Sequence, residues 1–232
     1  MNKTKIEWTD YTFNPIKGLC PVNCKTPDGV EYCYARKMYK RFGKYFHPSF
    51  WPHLVSEPKG IKKPSKIFVC STFELFHKNV ESWYRDEIFE TIEACPQHTF
   101  QILTKMPENI DRPIPDNTWL GCSITGRGDL WKWPYLIEQK AKTKFISIEP
   151  FFNILSPCFI EDLRHADWII VGRLTGHGKK YNPPKFWVSE LVNFAKDKHI
   201  PIFLKDNLKD IWGEDLIQEF PDSQDCPHRE RR

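Results

Sequence analysis

The run Lys66-Ile67-Phe68-Val69-Cys70-Ser71 is short and apolar, ends in polar residues, and sets a pattern that the rest of the chain repeats. Five further runs of this kind occur at residues 100–105, 119–124, 144–149, 167–172 and 200–205. Segments with helical character lie between them, at 80–94, 130–140 and 185–198. Continuous apolar runs are typical of strands buried on both faces, and intervening helices indicate parallel pairing. The sequence therefore predicts an α/β fold built as a parallel (β/α) barrel, full or partial.

The segment before Lys66 extends this pattern toward the N-terminus. We expect a short additional strand around residues 6–8 and a basic helix at 34–42 that ends at Gly43. Residues 44–65 contain four prolines, which exclude a long helix there.

Each predicted strand ends in side chains that could bind a ligand. In parallel barrels, polar residues at the carboxyl ends of the strands form the active site. The polar strand-end residues are Ser71, Thr72, Glu74, Thr104, Lys105, Ser123, Glu149, Arg173, Lys205, Asp206 and Asn207. Polar residues are common where strands emerge into solvent, but this does not explain why all six strand ends are polar. We expect them to surround one mouth, with Lys205 and Asp206 as an ion pair that closes it.

The composition limits the class of protein. A chain of 232 residues with 40% hydrophobic and 28% charged residues is long enough for one α/β domain, which we place at residues 1–221, followed by a flexible tail at 222–232. Nine Trp, eight Tyr and seventeen Phe are many, and aromatic side chains pack cores as readily as they stack on bases or cofactors. A net charge of +4 permits a nucleic-acid partner without requiring one.

The chain shows no secretory or membrane pattern. Its first residues lack an apolar signal region, and no apolar stretch reaches the roughly 20 residues that a membrane helix needs. We therefore expect a cytoplasmic protein that does not bind membranes. In that reducing compartment the eight cysteines indicate metal ligands and buried thiols, not disulfides. Cys70, Cys95, Cys122 and Cys158 lie in apolar segments and are expected in the core, whereas Cys226 lies in the polar tail.

Three other cysteines, Cys20, Cys24 and Cys33, lie within fourteen residues of a loop rich in Gly and Pro. Between the last two, residues 26–30 have the composition of a small Pro-Asp-Gly turn. A structural zinc site needs four ligands, so here it would need a fourth such as His47, Cys70 or His77. A 4Fe–4S cluster with one open iron needs only three thiolates. The spacing alone leaves both alternatives open.

The loop resembles the motif of the radical S-adenosyl-L-methionine (SAM) superfamily, which is Cys-x3-Cys-x2-Cys with an aromatic residue before the third cysteine. Cys20 and Cys24 fit this spacing and Tyr32 precedes Cys33, but the second gap is eight residues long. Segments at 5–9, 13–15, 33–35, 73–77, 96–105, 119–121, 147–150, 167–172 and 218–221 recur together in one family. As a set they are similar to the phage-associated three-Cys-motif proteins, a domain of unknown function related to spore photoproduct lyase and other radical SAM enzymes. The resemblance covers residues 3–221.

The resemblance implies a partial (β/α)6-type radical SAM barrel in which Cys20, Cys24 and Cys33 hold a 4Fe–4S cluster and SAM binds its fourth iron. It also implies cofactor contacts: Tyr32 near the adenine, Ser71, Thr72 and Glu74 near the methionine ammonium, Thr104, Lys105 and Ser123 near the ribose and carboxylate, and Glu149 near a ribose hydroxyl. The sequence Gly-Arg-Leu-Thr-Gly at 172–176 departs from the Gly-Gly-Glu-Ser-Gly of the family, so no glutamate is available there.

Three functions follow as hypotheses. The first is a radical SAM enzyme that acts on nucleic acid or on a nucleotide-derived substrate, with catalytic residues unknown. The second is a non-catalytic nucleic-acid-binding barrel with a structural zinc or cluster site. The third is a cluster-bearing subunit that activates a partner protein encoded with it. The basic helix at 34–42 is either a polyanion contact, together with Lys44, or a solvated helix face.

Overall fold

The fold was analysed in a computed structural model, which describes residues 1–43 and 47–221. The strands in this part of the chain are β1 Asn2–Lys3, β2 Tyr11–Phe13, β3 Ile16–Lys17, β4 Ser49–Phe50, β5 Lys66–Val69, β6 Thr99–Thr104, β7 Thr118–Ile124, β8 Thr143–Ile148, β9 Trp168–Val171 and β10 Ile202–Leu204. The α-helices are α1 Tyr34–Phe42, α2 Pro52–Val55, α3 Ser82–Glu93, α4 Lys132–Ile137, α5 Pro157–Asp162, α6 Lys185–Asp197 and α7 Lys209–Trp212. Short 3₁₀ turns occur at Glu57–Gly60, Pro107–Asn109, Arg127–Asp129, Leu163–His165 and Asp206–Leu208.

Eight of these strands form one sheet in the order β1-β2-β5-β6-β7-β8-β9-β10. The seven strands from β2 to β10 pair in parallel, and β1 is antiparallel to β2 at the edge. Strands β3 and β4 form a separate two-stranded sheet. The molecule is therefore an α/β fold whose parallel sheet is consistent with a partial barrel, as the strand–helix alternation predicts.

Both faces of the parallel sheet are buried. Side chains alternate between the faces of a strand, so Ile67 and Val69 of β5 belong to the large core cluster on the helix side, which also contains Ile88 of α3 and Leu191 of α6. The opposite face carries a second, mostly aromatic group that we call the inner cluster: Trp8, Phe68, Trp119, Phe145, Trp168, Ile170 and Phe203. The near-continuous apolar strand sequences follow from this two-sided burial.

Trp8 occupies the inner face even though it does not belong to a strand. Its ring lies 4.8 Å from that of Phe68 and 6.2 Å from that of Trp168, measured between centroids. The buried side-chain amide of Gln101 on β6 donates a hydrogen bond of 3.1 Å to the carbonyl oxygen of Trp8. The strand predicted at 6–8 is therefore wrong, because the chain turns at residues 7–8 to place this ring on the sheet and the first parallel strand is β2, Tyr11–Phe13.

The other predicted elements are confirmed with shifted ends. Helix α1 has the predicted bounds and ends at Gly43, whose φ of +59° is the left-handed conformation that glycine adopts readily. Cys70, Cys95 and Cys122 are buried as expected, but Cys158 is exposed, so its assignment to the core is wrong. Cys226, Lys44 and the predicted tail 222–232 lie outside the described residues. No helix within the described ranges is long and apolar enough to cross a membrane.

Candidate cofactor site at the carboxyl ends of the strands

A cavity of about 670 Å³ opens on the inner face at the carboxyl ends of the parallel strands. Trp8, Phe68 and Leu103 form its apolar floor, which is continuous with the inner cluster. The polar side chains that line it are Glu7, Cys20, Cys24, Tyr32, Cys33, Tyr34, Lys37, Cys70, Ser71, Thr72, Glu74, Lys105, Ser123, Ser147, Glu149, Arg173, Thr175, Lys205 and Asn207. The strand-end rule thus brings most of the predicted residues to one cavity.

The cysteine loop starts at a position that requires glycine. Gly18 has a φ of +127°, and a Cβ atom there would lie 2.6 Å from the carbonyl oxygen of His47. The close approach of these two segments directs the following residues toward the cavity, where Cys20 is buried among the lining residues.

The long gap between Cys24 and Cys33 is a small hairpin. Lys25 pairs with Glu31, the Thr26 N–H donates to the Val30 carbonyl over 2.9 Å, and Gly29 turns the chain with a φ of +86°. This confirms the turn expected at 26–30. At the base of the hairpin the Tyr32 N–H donates to the carbonyl oxygen of Cys24, over 3.2 Å. The inserted residues therefore leave Cys24 and Cys33 next to each other.

The thiol of Cys24 donates to the carbonyl oxygen of Val22 over 3.8 Å and lies close enough to Cys33 for the two thiols to interact. This interaction lowers the pKa of Cys33 and, together with burial, raises the pKa of Cys24. Burial raises the pKa of the Cys20 thiol, which lies within electrostatic range of Cys33. The three sulfurs thus face one side of the same cavity.

The cysteine loop bears on both metal sites that the sequence leaves open. Within residues 1–43 and 47–221, no group of three or more His, Cys, Asp and Glu side chains is placed to hold a metal ion. This holds for Cys20, Cys24 and Cys33 alone and for a set that adds His47, Cys70 or His77. The ligands of a single ion must converge on one point, whereas each thiolate of a 4Fe–4S cluster binds a different iron atom. Three thiols that line one cavity match a 4Fe–4S cluster in the number and the chemistry of its ligands.

Glu74 is buried beside the thiols and is held by the end of strand β6. Its Oε1 accepts hydrogen bonds from the Thr104 hydroxyl at 2.6 Å and the Phe76 N–H at 3.2 Å, and its Oε2 accepts from the Lys105 N–H at 2.7 Å. Thr104 also accepts from the N–H of Met106 and is not among the cavity-lining residues, because alternation along β6 turns Leu103 and Lys105 toward the cavity instead. Thr104 therefore positions Glu74 from behind.

Lys105 carries a positive charge into the cavity wall. Burial alone would lower the pKa of its ammonium group, but the nearby Cys24 and Glu74 outweigh burial, so the pKa is raised. No carboxylate within the described residues forms an ion pair with it. The ammonium group thus adds a positive charge near the three thiols in the cavity wall.

The remaining predicted residues line the same wall. Ser71 donates to the Asn14 side-chain oxygen over 3.2 Å, and Thr72 N–H donates to the same oxygen over 3.4 Å. Tyr32 is partly buried, which raises the pKa of its phenol, and its ring meets that of Phe152 edge-on at 5.7 Å. Asn14 was missed by the sequence analysis because it follows β2, the strand that had been placed at 6–8.

The opposite wall contains an ion pair that differs from the predicted one. The Lys205 ammonium donates to both oxygens of Glu149, at 2.8 and 3.0 Å, and lies 4.0 Å from Glu7. The Asp206 carboxylate instead accepts from the Gln218 amide at 3.0 Å, so the predicted Lys205–Asp206 pair is wrong. Ser123 contacts the backbone oxygen of Glu149 at 3.5 Å. Glu7 was missed because it lies within the predicted strand 6–8, where the structure has a turn.

Arg173 and Asn207 complete this wall. The Arg173 guanidinium donates to the backbone oxygen of Asn207 and pairs with Asp210 at 2.9 Å, and the Asn207 side chain donates to Glu149 over 3.4 Å. The next residue, Leu174, occupies the third position of the segment 172–176, where the family pattern has a glutamate, and its side chain is buried and apolar.

The fold and the site define an α/β protein in which the carboxyl ends of parallel strands and a three-cysteine loop surround one cavity. The chain belongs to the family described as "Protein of unknown function (DUF5131)", which matches residues 3–221.

No curated protein matches the chain. A solved structure that does match is "Spore photoproduct lyase complexed with dinucleoside spore photoproduct", with a TM-score of 0.48 and 9% sequence identity, covering 91% of this chain and 76% of that chain. These values are too low to transfer any property of that protein to this one.

Proposed function

We propose that this chain is a radical SAM enzyme, in which Cys20, Cys24 and Cys33 hold a 4Fe–4S cluster and the adjoining cavity holds SAM. The observation that carries this proposal is that all three thiols line one cavity of about 670 Å³ together with seven of the eight side chains expected to contact the cofactor. A volume of this size is within the range of cofactor pockets.

When bound and reduced, such a cluster supplies one electron to the sulfonium of SAM, and cleavage of a C–S bond gives a 5′-deoxyadenosyl radical. The chain itself supplies the ligands of the cluster, the side chains that orient SAM, and an apolar cavity floor that excludes water. Glu74 is suited to bind the methionine ammonium, because Thr104 and two backbone N–H groups fix its carboxylate beside the thiols. The Lys105 ammonium offsets the negative charge that three thiolates bring to the wall.

The substrate that we propose is a nucleic acid or a nucleotide-derived compound. The net charge of +4 favours an anionic partner, and exposed aromatic rings near the cavity, such as Tyr34 and Trp131, offer stacking surfaces for bases.

The proposal is tested by anaerobic reconstitution of the chain with iron and sulfide. We expect a brown protein with about four irons per chain and absorption near ~400 nm, which binds SAM by calorimetry and releases 5′-deoxyadenosine when reduced with dithionite. Cys20→Ala, Cys24→Ala and Cys33→Ala should each abolish iron binding. Cys122→Ala, which removes a buried thiol that lines neither this cavity nor the loop, is the control and should retain iron, and Cys70→Ala should retain it as well even though Cys70 lines the cavity.

Glu74→Gln tests the cofactor contact separately. The substitution keeps the shape of the side chain but removes the charge that faces the ammonium, so SAM affinity should fall about tenfold or more while iron content is retained. A colourless, zinc-containing chain, or a cluster-loaded chain that neither binds SAM nor forms 5′-deoxyadenosine, would overturn the proposal and favour a non-catalytic function.

A further inference from the structure

A second cavity of about 400 Å³ adjoins the first one, and we call it the side lobe. The two cavities share Val22, Cys24, Tyr32, Lys105 and Ser123 as lining residues. An occupant of the side lobe therefore lies directly against the cysteine loop. None of the cofactor contacts considered above requires this second volume.

Trp131 gives the side lobe a large apolar ring that the protein does not bury. The residue lies just before α4, is 50% exposed, and touches Tyr135 edge-on at 6.0 Å. Most of the other tryptophans lie within the core or pack against it. A half-exposed indole at a cavity is suited to stack on a flat ring.

Glu108 provides the side lobe with a hydrogen-bond acceptor that no donor of the protein satisfies among the described residues. It lies in the 3₁₀ turn Pro107–Asn109, and its Oε2 atom is buried without a hydrogen-bond partner among the described residues. Buried polar atoms in proteins are nearly always hydrogen-bonded, because an unpaired one costs free energy. Glu108 Oε2 is thus available to accept a hydrogen bond from an N–H or O–H group of a ligand in the side lobe.

Two lysines make the lobe attractive to an anion. Lys25 and Lys105 both line it, and neither forms an ion pair with a carboxylate in residues 1–43 or 47–221. Lys132, the third lysine of the lobe, is instead neutralised by Asp129 at 2.6 Å. The charge available to a ligand is thus positive on the side of the cysteine loop.

We propose that the side lobe binds a nucleotide unit, with its base stacked on Trp131, a base N–H donating to Glu108, and its phosphate near Lys25 and Lys105. A flat ring with N–H donors and an attached anion is the ligand class that satisfies all three features together. The inference rests on the proposed function only in treating the bound nucleotide unit as the substrate of the enzyme. Binding of the nucleotide unit itself requires neither the cluster nor SAM.

The test is calorimetric titration of the full chain, both cluster-free and cluster-loaded, with the four 2′-deoxynucleoside 5′-monophosphates and with ribose 5-phosphate. At least one nucleotide should bind ten times or more tightly than ribose 5-phosphate, which has the phosphate but no base. A mixed-sequence single-stranded hexanucleotide distinguishes the source of the nucleotide unit. If the hexanucleotide binds more tightly than any monophosphate, the unit belongs to a polynucleotide. If it binds equally tightly, the unit is a free nucleotide.

Two substitutions locate the site. Trp131→Ala should weaken the best nucleotide about tenfold or more, and Glu108→Gln should weaken it while leaving ribose 5-phosphate unchanged. Trp83→Ala is the matched control, because Trp83 is 52% exposed but lines neither cavity. Circular dichroism and the thermal midpoint establish that each variant is folded.

Nucleotides that bind no better than ribose 5-phosphate, or that bind Trp131→Ala as tightly as the unsubstituted chain, would overturn the inference whatever the iron and SAM measurements give. Loss of SAM chemistry with nucleotide binding intact would overturn the proposed function and leave the nucleotide site in place.

Discussion

Two carboxylates of the cavity, Glu74 and Glu149, are fixed in different ways. Glu74 accepts hydrogen bonds from one hydroxyl and two backbone N–H groups, which hold it without adding a positive charge. Glu149 is paired with the Lys205 ammonium at 2.8 Å. Glu74 is therefore held by neutral groups and has the Lys105 ammonium only within electrostatic range, whereas Glu149 forms a direct ion pair with Lys205.

The Glu149–Lys205 pair depends on the absence of a side chain at Gly172. A Cβ atom there would lie 2.7 Å from Glu149 Oε1 and 3.0 Å from Lys205 Cδ. We expect Gly172→Ala to displace both side chains and to destabilise the protein by about 1–3 kcal/mol, the usual cost of overpacking. Urea unfolding followed by circular dichroism measures this change.

Gly60→Ala is the control for that prediction, because a Cβ atom at Gly60 meets nothing within 4 Å. Its effect should stay within about 0.5 kcal/mol. If Gly172→Ala is as stable as Gly60→Ala, the packing of Glu149 and Lys205 around Gly172 is looser than the structure indicates.

At the residue scale, the ends of the predicted strands identified most residues of the site, but the sequence did not show which side chains pair with each other. Glu74, Lys105, Ser123 and Glu149 all reach the cavity from predicted strand ends. Thr104 does not, since a single residue changes the face of a strand on which a side chain lies. The partner of Lys205 could not be read from the sequence, because Glu149 is 56 residues away and Asp206 is adjacent.

At the scale of elements, the hairpin between Cys24 and Cys33 is fastened to the loop that precedes α6. Asp28 at its tip accepts hydrogen bonds from the Lys180 ammonium and from the Tyr181 hydroxyl, both at 2.5 Å. The bond from Lys180, followed by that from Thr26, lowers the pKa of the Asp28 carboxyl, so the contact is ionised at neutral pH. An insertion in the cysteine loop thus gains a tertiary contact that the shorter motif would lack.

We expect Asp28→Ala to release this contact and to make the peptide bonds after Lys179 and Lys180 several times more sensitive to trypsin. The physical reason is that a protease requires a locally opened backbone, and both partners on that loop lose their acceptor. Mass spectrometry of the early fragments measures the rate. Asp116→Ala, which removes another solvent-exposed salt bridge, that to Lys142, should leave cleavage after Lys180 unchanged. Equal cleavage in the two variants would contradict a fastening role for Asp28.

Strand β7 shows how closely the inner cluster packs against the sheet. All seven residues of Thr118–Ile124 are buried, and a Cβ atom at Gly121 would lie 2.3 Å from the ring of Phe145 on β8. Since the ring is fully buried and cannot rotate away, we expect Gly121→Ala to destabilise the protein by about 3 kcal/mol, the upper end of overpacking costs. The denaturation midpoint in urea checks this, and a loss below about 0.5 kcal/mol would show that Phe145 has room to move.

The predicted strands were accurate where the apolar runs are long. They were inaccurate where the position of one aromatic residue determines the path of the chain. The β6, β7 and β8 strands have six or seven residues, and their predicted bounds are within one residue of the observed ones. The segment 6–8 has a strand-like composition, yet Trp8 leaves the sheet's edge and packs onto its inner face. Composition cannot distinguish a residue that extends a sheet from one that covers it.

At the scale of the whole molecule, the open side of the sheet is covered by both ends of the described chain. From the N-terminal side, Trp8 spans Phe68 on β5 and Trp168 on β9. From the C-terminal side, Phe220 stacks on Trp168 at 5.5 Å, and Lys66 at the start of β5 lies 4.5 Å from the centre of the Phe220 ring. The segment 218–221, which the sequence analysis used only as part of a resemblance, therefore joins distant strands across the inner face.

Phe220 is the most direct test of this closure. We expect Phe220→Ala to destabilise the protein by about 2–3 kcal/mol, less than the 3–5 kcal/mol of a fully buried Phe, because the ring is only partly buried. It should also increase the binding of a hydrophobic dye, since Trp168 and Phe203 lose their cover. Phe186→Ala is the matched control, because that ring is exposed on α6 and should cost about 0.5 kcal/mol or less. Equal stability of the two variants, measured by urea unfolding, would mean that the C-terminal segment only lies on the sheet, and that Trp8 alone closes the floor beneath the cavity.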